Sequence, residues 1–101
     1  MMTEQKARPL SQASIPTEHA SKYLQQLCKH FAHKRPVTFD ESDGQISLMT
    51  GECYLRAEDA SLLVRVEAEE ASQLPQLEDV MVRHLVRFAF REDLQVEWTQ
   101  G

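Results

Sequence analysis

A chain of 101 residues is the size of one domain with one core. Its 42% hydrophobic and 27% charged residues exclude a disordered or fibrous chain. The net charge of −5 is unevenly spread, with six Lys/Arg against two acids over residues 1–35 and five against fourteen beyond. That balance argues against nucleic acid, whose phosphates are neutralised by clustered Lys and Arg.

Met1 to Leu10 is polar, contains Pro9 and has no apolar period, so residues 1–10 are expected to be a disordered leader and 11–101 a single domain. Ser11 to Ile15 suits a short edge strand. Pro16 and Thr17 then open a helix over 18–33, with Thr17 as N-cap and Ala20, Tyr23, Leu24, Leu27, Cys28 and Phe31 on one face. Pro36 bars continuation and the period changes to two. Val37 to Asp40 is a strand, Asp43-Gly44 a hairpin turn, and 45–49 a strand burying Ile46 and Leu48. Thr50-Gly51 turns into a strand over 52–57 that points Cys53 and Leu55 one way, Tyr54 and Arg56 the other. In the next strand, 61–67, Leu62, Val64 and Val66 share one face. Ser72 is expected to cap a second helix that tolerates Pro75 in its first turn and reaches Arg91, with Leu74, Leu77, Val80, Met81, His84, Leu85 and Phe88 as its apolar arc. Leu94, Val96 and Trp98 alternate as a closing strand. The expected fold is α+β, a two-layer sandwich of an antiparallel meander sheet with two helices packed on one face.

No run approaches the ~20 apolar residues of a membrane-spanning helix, and the first twenty residues hold no apolar block of the signal-peptide kind. Cys28 and Cys53 lack the dense spacing of disulfide scaffolds. A reduced, cytoplasmic protein without a membrane partner is expected.

Chemistry-bearing residues concentrate on the helices. His30 and His33, three residues apart, are surface neighbours that can supply two metal ligands, but a closed zinc site needs four, with His84 and a cysteine arriving from elsewhere. The plainer reading makes Lys29, His30, His33, Lys34 and Arg35 cations that complement the helix dipole. His84 lies near the middle of its apolar arc, either a hydrogen-bonded core histidine or an acid/base or ligand group in a pocket. Arg83, Arg87 and Arg91 form a stripe beside it. Asp79 pairs with Arg83, while Arg87 and Arg91 can clamp a small anionic ligand over a cleft with His84. Cys28 and Cys53 read as small buried hydrophobes; Cys28 beside Lys29 and His30 is also a candidate thiolate, which burial opposes. Val82, Val86 and Phe90 make an apolar stripe away from the main arc, suited to a protein partner or homodimer unless another segment covers it. No phosphate-binding Gly-rich loop, Ser-centred elbow or CxxC is present, and no cofactor is identifiable.

Three blocks carry a family resemblance: residues 17–34 (TEHASKYLQQLCKHFAHK), Gly51-Glu52-Cys53, and residues 84–92 (HLVRFAFRE). They resemble the bacterial domain of unknown function 2218 family over about residues 11–99. The resemblance implies no settled activity and transfers no catalytic residue. Some members occur joined to or near siderophore-interacting flavin reductases, which implies a link to iron acquisition for those members. Val86 stands where a polar residue is expected. Two readings follow: a non-enzymatic accessory or binding domain linked to iron or siderophore handling, or a small metal- or anion-dependent enzyme using His30, His33, His84 and a cysteine.

Overall fold

The computed structural model describes residues 8–100. Strand β1 (Leu10–Pro16) leads to helix α1 (Ala20–Ala32), then to the meander β2 (Val37–Phe39), β3 (Asp43–Leu48), β4 (Gly51–Ala57) and β5 (Ser61–Ala68). A 3₁₀ turn, Ala71–Gln73, introduces helix α2 (Leu74–Phe88), and strand β6 (Thr99–Gln100) closes the chain. All pairs are antiparallel, in the order β2-β3-β4-β5-β1-β6. The α+β sandwich is as read. Strand β1 is internal rather than at an edge, because β6 pairs with its outer side.

One core forms between the helices and one sheet face. Tyr23, Leu24, Leu27 and Cys28 of α1 and Leu74, Leu77, Met81 and Leu85 of α2 meet Ala13, Ile15, Ile46, Cys53, Leu55, Leu62, Val64 and Val66 of the sheet. These are the positions selected by periods of 3.6 and 2. No helix among the described residues is long and apolar enough to cross a membrane.

The element ends differ from the periodic reading, each for a local reason. Helix α1 starts at Ala20 rather than Glu18: the Thr17 side-chain oxygen accepts the His19 backbone N–H at 3.1 Å, closing a turn one step before the helix. The β2–β3 turn lies at Asp40–Ser42, where Asp40 Oδ1 accepts the Ser42 and Asp43 amides at 2.8 and 2.9 Å, and those two donors hold its carboxyl below the usual range. Asp43 and Gly44 therefore belong to β3, and Gly51 begins β4 after a turn at Met49–Thr50. No glycine among the described residues has a positive φ. What these two require is the missing Cβ. A Cβ on Gly44 would lie 2.7 Å from Cys28 Sγ, and one on Gly51 1.9 Å from the Glu67 carbonyl oxygen.

Ser72 is not the cap of α2. The turn before it carries a reciprocal box between Glu70 and Gln73, with the Glu70 N–H donating to Gln73 Oε1 at 3.1 Å. Helix α2 stops at Phe88, not Arg91, and residues 93–98 make no strand pairing. Leu94, Val96 and Trp98 nonetheless alternate inward and pack on the core. The expected leader lies mostly outside the described residues. Its last member, Leu10, pairs with Glu67, and the Pro9 carbonyl accepts the Ala68 N–H at 3.0 Å.

Candidate functional site

Three places gather polar side chains. The first is the seam between the C-terminal halves of the helices. His30 from α1 and His84 from α2 have ring centroids 4.9 Å apart, with Phe31 4.8 Å from His84 and Phe88 5.9 Å from His30. His84 is half-buried at the rim of the apolar arc rather than at its middle, and its Nδ1 lies 2.7 Å from the Val80 carbonyl oxygen. Desolvation against these rings, then the neighbouring His84, Arg87, His33 and Lys34, lower the His30 pKa. His33 is exposed at the end of α1. Arg35 leaves the cation cluster: its Nε donates to the Ser47 carbonyl at 2.7 Å, tying the α1–β2 connection to β3.

The cysteines sit elsewhere. Cys28 and Cys53 are both free and fully buried between α1 and the sheet. Burial pushes the Cys28 thiol up to about 11, and burial, then Cys28, then Glu52 raise that of Cys53. The nearby Lys29 and His30 do not make Cys28 a thiolate; desolvation wins. Among the described residues no three His, Cys, Asp or Glu side chains group so as to hold a metal.

The second place is a clasp between side chains far apart in the chain, which no local pattern announces. Glu92, just past α2, accepts hydrogen bonds from the Tyr23 hydroxyl and from the Thr17 hydroxyl, the latter at 3.1 and 3.2 Å to its two oxygens. Its carboxyl is held below the usual range, chiefly by the Tyr23 bond, while burial and Glu92 push the Tyr23 phenol up to about 12. Beside the clasp lies a cleft of about 460 Å³ whose lining includes His19, Lys22, Gln26, Phe90 and Arg91. Arg91 thus parts from Arg87: its guanidinium lies 5.4 Å from the Phe90 ring and lines this cleft, which neither Arg87 nor His84 does. The two do not close over one cleft with His84. Arg83 pairs with Asp79 at 2.8 Å, as expected from their spacing. Val86 and Phe90 are 46% and 72% exposed, so no described segment covers that stripe.

The third and largest place is the sheet face opposite the helices. Strand register brings Thr38, Gln45, Tyr54, Arg65, Gln12 and Thr99 into one row across all six strands. A second row runs Asp43, Arg56, Leu63, Ser14. Sheet twist makes this face a trough of about 1060 Å³. At its middle the Arg65 guanidinium lies 4.5 Å from the Tyr54 ring centroid. Ion pairs Arg56–Asp43 and Arg65–Glu67, both 3.1 Å, flank it. The outward alternation of Tyr54 and Arg56, and of Leu63 and Arg65, was legible in the sequence; the depth of the face was not.

The architecture matches a solved structure. The NMR structure of PA4090 from Pseudomonas aeruginosa superposes with a TM-score of 0.75 at 30% identity, over 89% of this chain and 94% of that one. No curated protein matches the sequence. Residues 12–99, nearly the whole described domain, match the family described as an uncharacterized protein conserved in bacteria, and the chain belongs to that domain of unknown function 2218 family.

Proposed function

We propose that this chain is a non-enzymatic, cytoplasmic binding domain whose ligand lies in the trough of the open sheet face, and that the ligand is an anion bearing flat aromatic rings, of the iron-chelate type. The observation that carries the reading is the stacked Tyr54–Arg65 pair at the centre of an uncovered six-stranded face. The Tyr54 ring offers a stacking platform for the ligand's flat rings, and the Arg65 guanidinium, paired on one side with Glu67 at 3.1 Å, a cation for its negative charge. Around them Gln12, Ser14, Thr38, Gln45 and Thr99 supply uncharged hydrogen-bonding groups, and the acids Asp40, Asp43 and Glu97 sit towards the two ends. The volume is at the upper end of small-molecule sites, typically ~300–1,000 Å³, which favours a bulky chelate over a single metabolite ring. The choice of an iron chelate rests on the association that the resemblance implies, for some members of the family, with siderophore-interacting flavin reductases.

The test is a titration with gallium(III) tris-catecholate, a diamagnetic stand-in for the ferric complex, followed by amide NMR shifts. Shifts confined to the outer rows of β1, β3, β4 and β5 are expected, with Arg65→Ala weakening binding about tenfold, equivalent to ~1.4 kcal/mol. Absence of shifts at millimolar complex, or shifts confined to the Val86 and Phe90 side, would sink the proposal.

A further inference from the structure

The geometry points to a transition-metal site at the helix seam, built by His30 and His84, distinct from the trough and independent of what the trough binds. The two imidazoles come from different helices yet have centroids 4.9 Å apart and planes inclined by 47°. A metal at ~2.0–2.1 Å from an imidazole nitrogen lies roughly 3.2 Å from that ring's centroid. Lone pairs from two rings at this spacing, directed at one shared ion, would subtend about 100° at the metal, between octahedral and tetrahedral values.

Two further features prepare these rings. His84 Nδ1 is 2.7 Å from the Val80 carbonyl oxygen, which can only accept a hydrogen bond. Nδ1 therefore carries the proton, and Nε2 holds the lone pair, in the manner in which ligating histidines are usually fixed by a carbonyl on the other nitrogen. Phe31 packs against both rings, at 5.3 Å from His30 and 4.8 Å from His84, and Phe88 stands 5.9 Å from His30, so aromatic side chains flank the pair.

The same surroundings define which ion fits. His33 and Lys34 follow His30 by three and four residues and Arg87 follows His84 by three, and no carboxylate or thiol joins the pair among the described residues. Hard cations that depend on charged oxygen ligands, such as Mg²⁺ or Ca²⁺, are excluded. Ions that bond strongly to neutral nitrogen, Ni²⁺, Cu²⁺ and Zn²⁺, are accommodated, with water or an incoming donor in the remaining positions. Such a site is open, and pins α1 to α2 when filled.

The test uses Ni²⁺ and Zn²⁺ chlorides with the intact chain. Substoichiometric paramagnetic Ni²⁺ is expected to broaden the imidazole resonances of His30 and His84 before those of His19 and His33, and saturating Zn²⁺ to raise the urea midpoint. His30→Gln and His84→Gln, both at sites open enough to keep the fold, are each expected to abolish the selective broadening and the Zn²⁺ shift, with circular dichroism unchanged. Broadening that survives His84→Gln would mean that His30 and His33 form the pair, and equal broadening of all four histidines would mean adventitious binding. Either result overturns the assignment, as does an unshifted urea midpoint in the unsubstituted chain.

Discussion

The contact between Gly44 and Cys28 offers a test of why α1 lies so close to the sheet. A Cβ at position 44 would stand 2.7 Å from Cys28 Sγ, against an ordinary separation of ~3.5–4.0 Å, while its contacts with Leu24 and Phe39, both 3.4 Å, are nearly normal. Gly44→Ala must therefore displace the thiol or the helix by ~1 Å, an overpacking cost of ~1–3 kcal/mol, partly offset by the ~0.5–1 kcal/mol that alanine gains over glycine in an ordinary backbone conformation. Cys28→Ala on its own removes a fully buried sulfur and should cost ~1–2 kcal/mol. In the double variant the alanine methyl occupies space vacated by the sulfur. Its destabilisation is expected to be below ~1 kcal/mol, well under the sum of the single losses. Urea unfolding of all four proteins, with m-values compared, measures the cycle. Each kcal/mol corresponds to a ~4–8 °C change in Tm for a domain of this size. Additivity within ~0.5 kcal/mol would refute the claim that the sulfur, rather than backbone geometry, demands glycine at this position.

The neighbouring glycine behaves differently: Gly51→Ala drives its methyl against the Glu67 backbone carbonyl at 1.9 Å, so a loss above ~3 kcal/mol is expected and Leu77→Ala, which relieves only the 2.9 Å side-chain contact, should not rescue it in the same urea assay. Stability should depend on pH through the clasp at both extremes. The lowered Glu92 pKa gives a contribution present above the ordinary value of 4.5 and lost as pH falls through the folded value, whereas the raised Tyr23 pKa gives one present below 10.0 and lost as pH rises towards about 12. Tyr23→Phe should flatten both limbs of the stability profile relative to the unsubstituted chain, and unchanged limbs would remove the clasp as their origin. Both thiols should resist aromatic disulfide reagents at mildly alkaline pH until the chain unfolds, so labelling faster than global opening would contradict their sealed placement.

Periodicity carried the fold because it reports which side of each element is dry. The alternation of Leu62, Val64 and Val66 and the helical spacing of Tyr23, Leu24, Leu27 and Cys28 each picked out residues that are now buried. Turn chemistry was read less well. Asp43-Gly44 has the composition of a tight hairpin, yet Asp40 captures two amides one turn earlier, and Gly44 is retained for the sulfur that faces it. Helical spacing alone sets His84 among Leu77, Met81 and Phe88, and carries nothing about the partner helix, whose His30 ring lies 4.9 Å from it at the rim. The Glu92 clasp joins residues 69 and 75 positions apart, and no local pattern announces such a pairing.

The segment after α2 links the clasp to the trough. Its first fixed point is Glu92, bonded to Thr17 immediately beyond the end of β1, and its last is Thr99, paired with Gln12 near the start of β1. Between them Leu94, Val96 and Trp98 face the core, which turns Glu97 and Thr99 outward to form one wall of the trough. The segment thus runs along β1 antiparallel to it, held by side chains through most of its length and by backbone pairing only at Thr99–Gln100. Pro16, at the clasp end of β1, has no N–H to extend that pairing. The wall is consequently anchored at both ends and weakly bonded between them, an arrangement that permits local opening at a lower free energy than the meander. Amides of residues 93–98 should therefore exchange faster than those of β4 and β5. A ligand seated against Glu97 and Thr99 would slow that exchange, whereas loading the helix seam with Zn²⁺ would leave it unaltered. Hydrogen exchange with each ligand in turn separates the two sites by a readout that belongs to only one of them.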